Sequence, residues 1–141
     1  MLFRQTEPLL PVEEFDVSNQ LALPRCEVEV QLRAMRWQRG AHQAAYSSPP
    51  DYVAEAKVTL NGKTITTPQG FLELLGGANR IQNPPPQVQC GFVVATGDAS
   101  TSGRLLVRIG NGRIESAERI DFAGRVHGKT LFYYLKAIVL N

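Results

Sequence analysis

At 141 residues the chain has the length of one domain, and 43% hydrophobic with 20% charged residues is the balance of a folded protein rather than a disordered one. A net charge of +2 is too small to demand a polyanion partner by itself. The two cysteines, Cys26 and Cys90, make no CxxC or Cys/His cluster, which argues against a structural zinc site.

Residues 1–25 are acidic and punctuated by Pro8, Pro11 and Pro24, and they read as an irregular arm ahead of a single β-rich domain over 26–141. The opening lacks a long apolar core, so no signal peptide is expected. The first strand falls at 27–36, where Val28, Val30, Leu32 and Ala34 alternate with polar residues. Met35 and Trp37 break that phase, which places a bulge or a strand end there. Residues 39–51 form a loop closed by Pro49 and Pro50.

The next strand, at 52–60, sets Tyr52, Ala54, Ala56, Val58 and Leu60 on one face and runs into Asn61-Gly62. Asn and Gly tolerate the positive φ of both central residues of a type I′ turn, so a hairpin is expected. Its register pairs Leu60 with Lys63, Thr59 with Thr64 and Val58 with Ile65. Thr67, Pro68 and Gln69 then give a helix-start pattern for a short helix over 68–75, weakened by Gly70 and ended by Gly76-Gly77.

After the stiff Pro84-Pro85-Pro86 segment, a strand at 88–96 aligns Val88, Cys90, Phe92 and Val94. Cys26 and Cys90 both sit at apolar phases and read as small buried thiols, with a disulfide left open. The second hairpin turns at Asn111-Gly112, with Ile109 facing Ile114, Val107 facing Ser116 and Arg108 facing Glu115. Glu118 violates the apolar phase of Ile114 and Ile120. Residues 129–140 are nearly apolar all round and fit a buried strand or a buried helix, and their aromatic and β-branched side chains favour a central strand. This run is too short to span a bilayer. The expected fold is mainly β, a small antiparallel barrel or sandwich of six or seven strands with one short helix.

Charge is unevenly spread: residues 1–30 carry six acids against two bases, and residues 104–141 carry seven bases against three acids. Two basic stretches are candidate sites. Arg33, Arg36, Trp37 and Arg39, with His42 and Tyr46 beyond, interleave cations with aromatics, as single-strand nucleic-acid binders do. The alternative has Trp37 capping the core and the arginines paired with the acidic arm. Gly124-Arg125-Val126-His127-Gly128-Lys129-Thr130 resembles the phosphate-binding loop of P-loop nucleotide hydrolases but is one residue short between its glycines. Too little chain follows for the parallel strands such an enzyme needs, so Arg125, His127 and Lys129 read as a basic turn able to hold an anion. The stretch GNGRIESAERIDF is similar to the closing hairpin of the ketosteroid-isomerase type of fold, which opens on helices where this chain reads as strand; the family is not assigned.

His42 and His127 have no nucleophile motif beside them, and no metal-ligating spacing occurs. The sequence therefore points first to a soluble, cytoplasmic binding module without cofactor, self-associating as a homo-oligomer. A polyanion binder using the basic patches and a small-molecule pocket or minor enzyme inside a barrel are the alternatives.

Overall fold

The computed structural model describes residues 12–37, 51–97, 103–121 and 123–134. Two antiparallel sheets form a sandwich. The first has strand order β1 (Val12–Ala22), β2 (Glu27–Trp37), β3 (Tyr52–Leu60) and β4 (Lys63–Ile65). The second runs β5 (Ala78–Gln82), β6 (Gly91–Thr96), β7 (Gly103–Gly110), β8 (Arg113–Ile120) and β9 (Val126–Leu131). Each strand pairs with its neighbour in sequence, so both sheets are meanders built from local connections. The mainly β expectation holds, as a sandwich rather than a closed barrel.

The core lies between the sheets. Val28, Val30 and Leu32 of β2 and Val58 of β3 meet Phe92 and Val94 of β6, Val107 of β7 and Ile114 of β8. Phe71 and Leu75, from the crossover between the sheets, close one end of that core. Each of these side chains is removed from water, and burial on this scale is the main driving term of such a fold.

Both Asn-Gly turns form, with φ of 49° and 84° at Asn61 and Gly62 and of 53° and 73° at Asn111 and Gly112. The first hairpin has the expected register. Asn61 also locks the turn to the start of β2, donating its N–H to the Glu27 carbonyl at 2.9 Å and accepting the Glu27 N–H on Oδ1 at 2.8 Å.

Several expectations are corrected. Nine strands, not six or seven, occur among the described residues. The acidic lead-in contains β1, paired along its whole length with β2; Phe15, Val17 and Leu21 supply a period-2 inner face. That pattern is interrupted at Asn19, whose amide instead donates to the Ile81 carbonyl at 2.9 Å and ties β1 to the second sheet. The helix over 68–75 is only a 3-10 turn, Leu72–Leu75. Its N-terminal signal is diverted: the Thr67 hydroxyl donates to Ala56 O at 3.3 Å, and Gly70 turns left-handed at φ 87°.

In the second hairpin Ile109 faces Ile114 as expected, but the register then slips. Glu115 is an extra residue, so Arg108 faces Ser116 and Val107 faces Ala117. Of the run expected to be buried over 129–140, residues 129–131 belong to β9, an edge strand exposed along its length. Beyond it Phe132 and Tyr134 turn inward, Phe132 edge-on to Phe71 at 6.1 Å and the Tyr134 hydroxyl donating to Ile114 O at 2.7 Å. Residues 135–141 lie outside the described chain.

Cys26 and Cys90 are not free thiols. They form a disulfide across a sequence separation of 64, with Cα atoms 6.0 Å apart, joining the start of β2 to the approach to β6. Among the described residues no helix is long and apolar enough to cross a membrane.

Candidate interaction site

The basic-aromatic stretch on β2 is split between two surfaces. Arg33 points away from the core, and a bulge decides its partner. Ala54 is an extra residue in β3, so Arg33 faces Glu55 rather than Ala54. Its guanidinium lies 3.0 Å from Glu55 and 3.4 Å from Glu14 of β1. The same bulge turns Val53 into the core and leaves Tyr52 exposed, against the single-face pattern read from the sequence.

Arg36 lies on the other face, at the rim between the sheets. It stacks 4.6 Å over the Phe15 ring, donates to Asn79 Oδ1 at 2.9 Å and lies 3.8 Å from Asp51. Trp37 ends β2. Arg39, His42 and Tyr46 fall outside the described residues. The two arginines that the structure does place are thus held by carboxylates, partly from the acidic lead-in.

The basic turn is organised by Asp121, which links β8 to β9. Its Oδ1 accepts the backbone N–H groups of Ala123 and Arg125, each at 2.9 Å. Its Oδ2 lies 2.8 Å from His127 Nε2 and 3.0 Å from Arg125 Nε. Gly124, at φ 82°, makes the left-handed step this turn requires. The hydrogen bond to His127 and the backbone bond from Arg125 hold the Asp121 carboxyl at about 2, below its usual 3.8.

Lys129 reaches a different acid. Glu118 is buried on the outer face of the second sheet, 2.6 Å from Arg108 and 3.7 Å from Lys129. The residue that breaks the apolar phase in sequence is therefore the centre of a three-charge cluster. Arg125 and His127 keep most of their side-chain surface in water and Lys129 about half, however, and the three form a basic strip beside exposed Val126 and Leu131.

The first sheet supplies a contrasting feature. Its outer face holds a groove of about 490 Å³ lined by Asp16, Ser18, Gln31, Arg33, Glu55 and Lys57. The register places these in two rows, Asp16–Arg33–Glu55 and Ser18–Gln31–Lys57, with Glu14–Met35–Tyr52 as the next row along. Among the described residues neither Asp16 nor Lys57 enters an ion pair. Glu14, Asp16, Glu29 and Glu55 face Arg33 and Lys57, so this surface is acidic.

No family model, no curated protein and no solved structure matches this chain.

Sequence reasoning singled out Arg33 and allowed its pairing with the acidic lead-in, which Glu14 supplies, but missed Glu55. Asp16 and Glu55 are far apart along the chain and become neighbours only through the β1–β2–β3 register. Among the described residues no three His, Cys, Asp or Glu side chains are placed to hold a metal ion.

Proposed function

We propose that this protein is a binding module that works by self-association. The observation that carries this reading is β9. It ends the second sheet, all six of its residues are exposed, and Val126 and Leu131 are among the few large apolar side chains left in water. An edge strand presents a row of backbone donors and acceptors to any chain that approaches, and apolar side chains on it favour association. The bulge at His127 and the charge of Lys129 restrict which chain can approach, a property of selective edges rather than of indiscriminately sticky ones.

The two alternatives draw less support. Polyanion binding asks for available guanidinium groups, and Arg33 and Arg36 are engaged by Glu14, Glu55 and Asp51. An interior pocket asks for unfilled space, and the region between the sheets is packed with aliphatic and aromatic side chains. The Cys26–Cys90 bridge is of a kind that persists in oxidising compartments.

Sedimentation velocity from low to high micromolar concentration tests the reading. The sedimentation coefficient is expected to rise with concentration, and Leu131→Glu is expected to suppress the rise. A strict monomer at every concentration would overturn it.

A further inference from the structure

We propose that the acidic outer face of the first sheet, at its groove, is the surface that receives the basic β9 edge of a second copy. This rests on the self-association reading and names the partner surface. The argument is complementarity in charge, in apolar content and in length.

Charge divides by sheet. Over residues 12–37 and 51–65, seven acids oppose five bases; over residues 78–97 and the described part of 103–134, seven bases oppose three acids. On the face around the groove four carboxylates, Glu14, Asp16, Glu29 and Glu55, oppose two cations, Arg33 and Lys57, and among the described residues Asp16 enters no ion pair. At the edge strip Arg125 is 79% exposed and shares Asp121 with the His127 ring, and Lys129 is 49% exposed and shares Glu118 with Arg108. Each surface therefore carries the charge that the other lacks.

Apolar content matches too. Tyr52, 45% exposed, pairs with Met35 one row along from Arg33 on the groove face. On β9, Val126 and Leu131 flank Lys129. In extent, the five residues from Glu14 to Ser18 span about 13 Å and the six from Val126 to Leu131 about 17 Å at strand spacing.

The two surfaces are different patches, so the contact is heterologous: each copy offers an edge to one neighbour and a groove to the next, giving a ring or an open chain. A contact of this kind is steered by charge and weakens as salt screens it.

Charge reversal with mixing tests the assignment by sedimentation velocity. Asp16→Lys/Glu55→Lys reverses the groove, and Arg125→Glu reverses the exposed edge charge. Each variant alone is expected to associate about tenfold or more weakly than the parent. An equimolar mixture is expected to recover association, because each variant keeps one intact surface and the reversed pair also match.

Asp16→Asn/Glu55→Gln keeps the test open if the reversed groove fails to fold; it too should weaken association. If the parent never associates, the self-association reading fails. If the parent associates and the groove variants do so equally well, only the groove assignment fails. Groove variants that lose spermidine binding yet associate like the parent would also overturn it, giving the groove to a free polyamine.

Discussion

The first sheet keeps a polar outer face over an apolar inner one, whereas the second buries side chains on both faces. On the outer face of β1–β3, Arg33 is half-buried and its carboxylates, Glu14 and Glu55, remain largely in water. On the outer face of β6–β8, Val93, Leu106 and Ile120 form a second buried cluster with Val88 from the preceding loop, and Glu118 lies buried there too. The same residue types thus have different energetic weight. An ion pair in water gains little because solvent already stabilises both charges. A buried carboxylate depends on its cations, since removing it from water is costly unless it is paired.

The disulfide is the strongest link between the two sheets, and breaking it should give the largest effect. Closing a loop over a separation of 64 residues is worth about 4 kcal/mol by chain entropy. Cys26→Ser/Cys90→Ser, or reduction of the parent, is expected to lower Tm by roughly 10 °C or more in a thermal unfolding scan. A shift of only a degree or two would mean that core packing alone holds the sheets together.

The contrast in charge burial is next in size. Glu118→Gln should cost about 2 kcal/mol, because Arg108 and Lys129 lose the carboxylate they share. Glu55→Gln, which removes an exposed partner of Arg33, should cost below about 1 kcal/mol. Urea denaturation of both variants measures the difference. Equal costs would erase the distinction between the sheets.

The smallest effect sharpens the picture at the β8–β9 turn. Asp121 is held at about 2, against 3.8 when unfolded, so the folded protein gives up this proton more readily. Its contribution to stability is whole above pH 4 and is lost as pH falls towards 2. The urea midpoint of the parent should therefore fall across that window relative to Asp121→Asn. Asparagine keeps the carbonyl that accepts the Ala123 and Arg125 N–H groups. Parallel pH profiles would show that the turn does not depend on the charge.

What was legible in the sequence is what neighbouring residues decide among themselves. The two Asn-Gly turns formed where they were read, because positive φ is a property of those residues and the adjacent pairs follow from it. The inner face of β2 followed from strict alternation over Val28, Val30, Leu32 and Ala34. Strand β1 was half legible: Phe15, Val17 and Leu21 carry the period, and Asn19 disguises it because its partner sits on the other sheet.

Tertiary structure decided the rest, for the physical reason that each remaining choice is made by residues distant in the chain. One extra residue at Ala54 sets Glu55 opposite Arg33, and another at Glu115 moves Arg108 to Glu118; both depend on the packing of whole strands. Cys26 and Cys90 come within bonding distance only when the sheets stack. The separation of acidic from basic residues between the two ends of the chain was already written in its order. That it becomes an acidic outer face on one sheet and a basic edge on the other follows only from the sandwich, which assigns each end of the chain to its own layer.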